Sequence, residues 1–277
     1  MPEDLLRWIG ARRVVECIQS LWGGHGELLR VAFDDGRTAI VKWARPPAAT
    51  DTSSTRKRRS YDVELAFYRS IAARCDRSCR VPALIAARRD ARESVLVLED
   101  LDAAGFGSRV EEATGTALDA ALRWLASFHA RFLGESAGEL WSIGTYWHLD
   151  TRKDELPNIA DAALHDAAPK LARRLASARY QTIVHGDPKE ANFCFTADHA
   201  DVAAVDFQYT GRACGIVDVA YLLYGRSDEN DPAHLDRYFE HLRSAAGIDI
   251  AALELEWREL YPIARQDFRR FLAGWRR

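Results

Sequence analysis

The sequence has no large excess of charge of either sign. Its 38 lysine and arginine residues are nearly balanced by 41 aspartate and glutamate residues, so the formal net charge at pH 7 is -3. A general nucleic-acid binder, or a protein that charge holds on an anionic membrane, would carry a strong basic field. The balance of charge therefore excludes both classes and favours a small molecule as the binding partner.

Long apolar runs are also lacking. The longest apolar tract, residues 202–225, is interrupted by Asp206, Arg212 and Asp218, which excludes an ordinary membrane-spanning helix. The sequence begins with MPEDLLRW, which lacks the basic and then apolar pattern of a secretory signal peptide. The five cysteines are odd in number and scattered, so we expect reduced thiols and a cytoplasmic protein.

The apolar residues are nevertheless numerous enough for a sizeable core, since they make up 48% of the 277 residues. In the first part of the chain, short alternating segments predict an antiparallel sheet, with Asp35-Gly36 as a hairpin turn. An amphipathic helix is predicted from about Ser60. Helical patterns dominate afterwards. We therefore predict an α+β fold with a β-rich lobe at residues 1–100 and a mainly helical lobe at residues 101–277.

Residues 45–60 lie between the predicted sheet and the predicted helix. They are polar, basic and rich in proline, serine and threonine, a composition that predicts a mobile surface loop. A nucleic-acid patch is the alternative, but the segment has no interleaved aromatic residues on which bases would stack. The composition favours the loop.

The stretch IVHGDPKEANFCF, residues 183–195, places strongly polar residues between two apolar segments that predict buried strands. Asp187 and Asn192 lie in its loop, and Asp206 follows after another apolar run, in VAAVDFQ. Carboxylate and amide oxygens are ligands that Mg2+ prefers, and a carboxylate free of metal can accept a proton from an attacking hydroxyl. D-x-x-x-x-N followed by D-F is the kinase arrangement of catalytic and metal-binding residues. Turn capping explains either half alone, but their order and spacing favour Asp187 as catalytic and the other two as metal ligands.

HGDPKEANF together with VDFQ resembles the aminoglycoside phosphotransferase and choline kinase superfamily, the small-molecule branch of the protein-kinase-like fold. VLEDL, LASFHARF and the glutamine of DFQ are most similar to its ecdysteroid kinase-like group. The resemblance extends from about Gly23 to Leu223. It implies a two-lobed protein-kinase-like fold and a kinase that uses ATP and Mg2+ to phosphorylate a hydroxyl of a small molecule.

The resemblance also implies an ion pair in the first lobe. In the family, a lysine on the third strand holds the α- and β-phosphates, and a glutamate on the following helix holds the lysine. TAIVKWA supplies Lys42 and YDVELAFY supplies Glu64, so the resemblance assigns both to ATP binding. A lysine that faces water from an edge strand, and a glutamate on an exposed helix face, are the alternatives.

Two further parts of the nucleotide site follow from the resemblance. A phosphate-binding loop between the first two strands would contain Gly23, Gly24 and Gly26, although SLWGGHGELL is neither G-x-G-x-x-G nor G-x-x-x-x-G-K-[ST], and a plain glycine-rich hairpin is the alternative. The connection between the lobes, with Glu99 and Leu101, would bind adenine through its backbone.

Other residues of the two motifs receive supporting roles from the resemblance. Lys189 would neutralise charge on the transferred phosphoryl group, the alternative being a surface lysine at a loop tip. His185 would support the catalytic loop by hydrogen bonds to backbone. Gln208 replaces the glycine of D-F-G, so we expect an assembled site without an activation-loop switch. Asp218 would cap a helix or brace the catalytic loop, and the two roles are compatible.

The acceptor site is indicated more weakly. LWSIGTYWHLDTR offers Trp141, Tyr146, Trp147 and His148 as walls of the cleft, with burial in the core as the alternative. An aromatic box would suit a quaternary ammonium compound, and an aminoglycoside would need a strongly acidic patch, of which no dense carboxylate run is a sign. A bulky apolar alcohol fits the sequence equally well.

Two other functions compete with a small-molecule kinase. A kinase that acts on protein would need a longer segment after DFQ and a recognisable A-P-E motif, and the sequence has neither. A non-catalytic nucleotide-binding scaffold would show degraded motifs, whereas the predicted catalytic and metal-binding residues are all present.

Overall fold

The computed structural model describes residues 1–46, 48, 50–226 and 231–275. Its strands are β1 Arg13–Ser20, β2 Gly26–Ala32, β3 Thr38–Ala44, β4 Leu84–Arg89, β5 Ser94–Glu99, β6 Thr182–Val184, β7 Phe193–Phe195, β8 Val202–Ala204 and β9 Gly211–Ala213. Its helices are α1 Glu3–Ile9, α2 Thr52–Ser70, α3 Gly115–Arg131, α4 Ala162–Ala176, α5 Ile216–Leu222, α6 Asp231–Ala246 and α7 Ala251–Gly274. The first five strands thus precede a mainly helical part, and the predicted α+β class is confirmed.

The first five strands form one antiparallel sheet in the order β1-β2-β3-β5-β4. Apolar side chains alternate along its strands, and Val31, Val41 and Val97 on one face are fully buried. The predicted Asp-Gly turn joins β2 to β3, where the Gly36 N–H donates to the Phe33 carbonyl at 3.2 Å. This sheet forms one wall of the site described below.

Helix α2 begins earlier than the sequence pattern predicts. It starts at Thr52, and Asp51 caps it by accepting a hydrogen bond from the Ser54 N–H at 2.7 Å. The predicted surface loop at residues 45–60 is therefore wrong from residue 52 onward, and residues 47 and 49 of it lie outside the described residues. The composition misled because the basic side chains of this helix bind partners far along the chain. Arg56, for example, is buried and donates to Asp154.

The polar motifs lie between short buried strands, as predicted. Strand β6 leads into the first motif, β7 leaves it, and β8 ends two residues before Asp206. The pairs β6-β9 and β7-β8 are antiparallel ribbons that rest on the core of the helical part. That core contains the fully buried rings of Trp124, Phe128, Phe207 and Trp257. The polar loops are thereby held on the packed core of the helical part.

Among the residues described, no helix combines the length and the apolar character needed to cross a bilayer.

Candidate active site

A cavity of about 560 Å3 lies between the sheet and the polar loops of the helical part. This volume is in the range that holds a small ligand or cofactor. Most of the residues predicted for the site line it, namely Lys42, Glu64, Glu99, Leu101, Lys189, Asn192 and Asp206. They come from β3, α2, the end of β5 with the segment after it, and the two polar motifs. Residues far apart in sequence thus converge on one cavity.

Lys42 lies at the centre of an ion-pair triad. Its Nζ donates to the Glu64 carboxylate at 2.8 Å and to Asp206 Oδ1 at 3.0 Å. Burial opposes its charge, but the carboxylates of Asp206 and Glu64 raise the pKa of Lys42. Burial likewise opposes the charge of Asp206. The charge and the hydrogen bond of Lys42 outweigh the effect of burial and lower the pKa of Asp206 to about 2. Lys42 and Glu64 are both buried, so the solvent-facing alternatives for them are wrong.

Three donors hold the Asp187 carboxylate. Lys189 Nζ donates to Oδ2 at 2.9 Å, Asn192 Nδ2 donates to Oδ2 at 3.2 Å, and the Tyr221 hydroxyl donates to Oδ1 at 3.1 Å. Burial raises the pKa of Asp187, with the charge of Lys189 opposing the shift. The group is therefore oriented and, compared with an exposed aspartate, has a greater tendency to take up a proton. Lys189 is exposed, as the alternative of a surface lysine has it, yet its Nζ contacts Asp187, and its role in phosphoryl transfer stays a prediction.

His185 supports the loop that carries Asp187. Its Nδ1 accepts from the Asp187 backbone N–H at 3.2 Å, and its Nε2 lies 3.0 Å from the Val205 carbonyl. These partners assign a neutral ring with the proton on Nε2. Burial lowers the pKa of His185, which agrees with that neutral form. The predicted supporting role is confirmed.

Asp218 braces the same loop from below. Its fully buried carboxylate accepts from the backbone N–H groups of His185 at 2.7 Å and Gly186 at 3.0 Å. The capping interpretation is wrong, because Asp218 lies inside α5, whose N-cap residue is Gly215. Gly186 has φ +84°, and a Cβ there would stand 2.1 Å from the Tyr209 carbonyl, so glycine is required at this turn.

Replacing Asp218 by asparagine is expected to lower the free energy of unfolding by about 1–3 kcal/mol, because the amide leaves one buried backbone N–H without an acceptor. Urea denaturation measures this change. The exposed Asp201 provides the control, since its replacement by asparagine should leave stability nearly unchanged. Equal stability of the Asp218 variant and the wild type would contradict the bracing role.

The fold and the motifs have counterparts in known proteins. Residues 18–259 match the family described as the phosphotransferase enzyme family. The chain belongs to this family. The protein is therefore a phosphotransferase, and the prediction of a kinase enzyme is confirmed. No curated protein matches the chain.

Solved structures show the same fold at low sequence identity. An amicoumacin kinase, hAmiN, in complex with AMP-PNP, Ca2+ and Ami, has a TM-score of 0.57 and 14% identity over 95% of this chain and 84% of its own. The macrolide 2'-phosphotransferase MphH from Brachybacterium faecium has a TM-score of 0.56 and 13% identity over 93% and 87%. An aminoglycoside-3'-phosphotransferase of type VIII has a TM-score of 0.52 and 16% identity over 94% and 98%. These likenesses confirm the fold of such phosphotransferases.

The segment that connects the two parts of the phosphotransferase leaves a backbone donor available. The Glu99 side chain is turned away to Arg80 and to the Ala83 N–H, and its own N–H donates to the Ala83 carbonyl at 2.9 Å. The Leu101 carbonyl accepts from the Phe106 N–H at 2.8 Å. Among the described residues, no protein acceptor binds the Leu101 N–H. The Leu101 N–H is therefore a donor that this segment leaves open, and the adenine contact of the segment stays a prediction.

The predicted phosphate-loop glycines lie at the turn between β1 and β2, but the cavity lining of the described residues does not include them. Each has a local reason to be glycine. Gly23 and Gly24 have φ of +71° and +70°, and a Cβ on Gly26 would stand 2.2 Å from the Trp43 carbonyl. The hairpin explains the conformation of all three glycines, and their contact with phosphate stays a prediction.

The sequence analysis missed Lys57. Its side chain lines the cavity, its Nζ donates to Gln208 Oε1 at 2.9 Å and lies 4.7 Å from the Tyr61 ring centre. Burial, followed by the charge of Lys42, lowers the pKa of Lys57 to about 8. Lys57 precedes Glu64 by two helical turns, so it would have been found had the start of α2 been recognised.

Gln208 links α2 to the second motif. Its Nε2 donates to Glu64 Oε2 at 3.3 Å, while its Oε1 accepts from Lys57. Beside it, the Phe207 ring stacks on the Phe67 ring of α2 with centres 3.7 Å apart. These contacts hold the triad assembled in this structure. The absence of an activation-loop switch stays a prediction.

The oxygen atoms of Asn192 and Asp206 suit a magnesium ion. Lys42 Nζ donates to Oδ1 of Asp206. Among the described residues, no donor binds Oδ2 of Asp206 or Oδ1 of Asn192. One carboxylate and one amide, completed by phosphate oxygens and water, are a typical Mg2+ set. The described residues contain no cluster of three His, Cys, Asp or Glu side chains, the kind of site that binds a metal without a substrate. The donor set therefore fits a metal that arrives with nucleotide.

The aromatic segment is divided between core and surface. Trp147 and His148 are buried, so the core alternative holds for them, and burial lowers the pKa of His148 to about 4. Trp141 is half-buried and donates from Nε1 to the Gln208 carbonyl at 2.8 Å. Tyr146 is half-buried, and its ring centre lies 5.7 Å from that of Tyr221.

Proposed function

We propose that this phosphotransferase moves the γ-phosphoryl group of ATP to a hydroxyl group of a small molecule, with Mg2+ as the metal. The observation that carries the proposal is the convergence, at one cavity, of a lysine held by two carboxylates and of two oxygen atoms, Asp206 Oδ2 and Asn192 Oδ1, that no described donor binds. Beside the cavity, two of its lining residues hold the buried carboxylate of Asp187. A nucleotide-binding protein that transfers nothing has no need of the oriented Asp187.

In this proposal, residues 1–100 form the nucleotide-binding lobe, with Lys42 and Lys57 as phosphate contacts, and the N–H of Leu101, directly after this lobe, is the adenine contact. Bound Mg2+ would supply positive charge that draws electrons from the phosphate oxygens, and Asn192 and Asp206 are the residues that would hold it. Residues 101–277 form the lobe that carries the catalytic loop and the acceptor site.

Asp187 orients the acceptor hydroxyl and accepts its proton. The hydroxyl oxygen forms a new bond to the γ-phosphorus, the bond from that phosphorus to the bridging oxygen breaks, and ADP leaves. Lys189 lies beside Asp187 and neutralises charge on the phosphoryl group as it moves. The structure supports these roles by the distances between the groups.

The alternatives are less well supported. A kinase that acts on protein needs a docking segment after the second motif, whereas here that stretch folds directly into β9 and α5. A scaffold without catalysis does not account for the intact triad and the oriented Asp187. Placement within the ecdysteroid kinase-like group, and in the cytoplasm, stays a prediction.

The test is incubation of the purified protein with Mg-ATP and a mixed library of hydroxylated small molecules, followed by mass spectrometry. We expect at least one compound to gain the mass of a phosphoryl group, and this gain to vanish in the Asp187→Asn variant. A protein that binds Mg-ATP and modifies no compound would favour the scaffold, and failure to bind nucleotide would refute the proposal.

The affinity for ATP is expected to fall as the pH rises through about 8. Lys57 is charged below its lowered pKa and neutral above it, and a charged phosphate contact contributes about 1.5–3 kcal/mol. The KM for ATP should therefore rise by about 10-fold or more between pH 7 and pH 9.5.

The Lys57→Arg variant is the matched control for this pH dependence. A guanidinium stays protonated throughout the range, so the KM of this variant should be nearly independent of pH. Lys57→Met should bind ATP weakly at every pH. Parallel pH profiles for the wild type and the arginine variant would show that Lys57 does not contact phosphate.

A further inference from the structure

The two oxygens of Asp187 face different surroundings. Oδ2 is held by Lys189 and Asn192, both of which line the nucleotide cavity. Oδ1 accepts from Tyr221, which is not part of that lining. An acceptor hydroxyl that approaches Asp187 from outside the nucleotide cavity therefore passes Tyr221.

Aromatic rings continue outward from Tyr221. The Tyr146 ring centre lies 5.7 Å from Tyr221, 5.7 Å from Tyr209 and 6.5 Å from Trp275. All four residues are half-buried, so each keeps part of its surface accessible. We call Tyr146, Tyr209, Tyr221 and Trp275 the aromatic platform. Such a surface binds flat apolar groups by stacking and by burial of apolar area.

The platform already contains a cation of the protein. The Arg152 guanidinium carbon lies 4.7 Å from the ring centre of Trp275, 5.7 Å from that of Tyr146 and 6.0 Å from that of Tyr209. Phe271 adds a fourth ring at 5.7 Å. Arg152 is buried and is fixed by donation from Nε to the Tyr146 carbonyl at 2.8 Å. The cation–π site that an aromatic box would offer to a ligand amine is thus filled by Arg152.

The carboxylates near the platform are paired with basic side chains of the protein. Those of residues 146–160 and 187–192 form the pairs Asp150-Lys153, Asp154-Arg56, Glu155-Arg152, Asp187-Lys189 and Glu190-Arg226. An amine-rich acceptor needs unpaired negative charge at its binding site. These two segments therefore leave little unpaired negative charge for an amine-rich acceptor.

We propose that the acceptor is an uncharged alcohol with a flat apolar face, such as an aromatic or fused-ring compound, and that the site discriminates against cationic amines. This inference rests on the proposed phosphotransfer to a hydroxyl group. It follows from an aromatic surface next to Asp187 whose cation site Arg152 occupies.

The experiment uses pairs of aromatic and fused-ring alcohols that share one skeleton and differ by an uncharged or an aminomethyl substituent. Each pair is incubated with Mg-ATP and the full-length protein, and phosphorylated products are measured by mass spectrometry. We expect the uncharged members to have a kcat/KM at least about 10-fold higher, because a charged amine would be desolvated on the platform without a cation–π or carboxylate partner. Preference for the aminomethyl members would overturn the inference.

A pair of variants tests the platform itself. Tyr146→Leu keeps an apolar side chain and removes the ring, so the KM for uncharged acceptors should rise by about 3- to 10-fold while the KM for ATP stays constant. Tyr180→Leu, a half-buried tyrosine outside the platform, is the matched control and should change neither constant. An unchanged acceptor KM in Tyr146→Leu would overturn the role of the platform.

Acceptor-independent ATP hydrolysis distinguishes failure of the inferred acceptor class from failure of the proposed function. If hydrolysis is lost in Asp206→Asn but no uncharged alcohol is phosphorylated, the inferred acceptor class is wrong and the phosphotransferase site stands. If the wild type neither hydrolyses ATP nor modifies any compound, the proposed function itself is wrong.

Discussion

Asp187→Asn is expected to lower the kcat for phosphoryl transfer by a factor of about 10² to 10⁴ while nucleotide affinity is retained. Asparagine keeps the size of the side chain and can still accept from Tyr221, but it cannot take up the proton of the acceptor hydroxyl. Burial raises the pKa of Asp187, and the raised pKa favours uptake of that proton. Steady-state kinetics with an acceptor identified by the mass screen, together with calorimetric titration of nucleotide, measures both quantities.

The control for this variant is Asp201→Asn, an exposed aspartate on the same part of the chain. Its kcat should equal that of the wild type. If Asp187→Asn retained full activity, Asp187 would be a structural residue, and proton transfer would have to be assigned to another group.

Lys42→Met is expected to lower the free energy of unfolding by about 3–5 kcal/mol and to abolish measurable phosphoryl transfer. The lysine separates two carboxylates, and its removal leaves Glu64 buried without a counter-charge and close to Asp206. Removal of one partner of a buried ion pair costs far more than the pair contributes, because the remaining charge is desolvated. Urea denaturation measures the change in stability.

Two further variants make the Lys42 experiment decisive. In Lys42→Met/Glu64→Gln, the buried negative charge is removed as well, so part of the stability should return while activity stays absent. Lys153→Met removes an exposed lysine of a surface pair and should cost less than about 1 kcal/mol. If Lys42→Met were as stable as Lys153→Met, the triad would not contribute to the fold.

The catalytic motifs were predictable because their spacing is local. Asp187 and Asn192 occupy one loop between two short apolar strands, and Asp206 follows the next strand. Strand alternation and burial of apolar flanks are enough to place such residues at strand ends. Lys42 and Glu64 required the family resemblance, since nothing in their own segments distinguishes them from exposed residues.

Lys57 and the early start of α2 were not predictable from composition. A segment rich in lysine, arginine and serine resembles a solvated loop unless its partners are known, and the partners of Arg56 and Lys57 are Asp154 and Gln208. The glycines at the β1-β2 turn have a local explanation, and their contact with phosphate stays a prediction. Their conformation is required by the hairpin itself, as the close approach of Gly26 to Trp43 shows.

The sequence by itself determined the fold class and the family motifs, because these depend on periodicity and on spacing within short segments. Only the tertiary structure decided that Asp206 joins Lys42 across the cleft, which of its two predicted roles Asp218 has, and that Arg152 contacts the rings of the aromatic platform. Most of these contacts join residues more than thirty positions apart in sequence. Lys42 and Asp206, for example, are 164 positions apart. Pairing of buried charges depends on where the chain brings them together, and no local pattern records that.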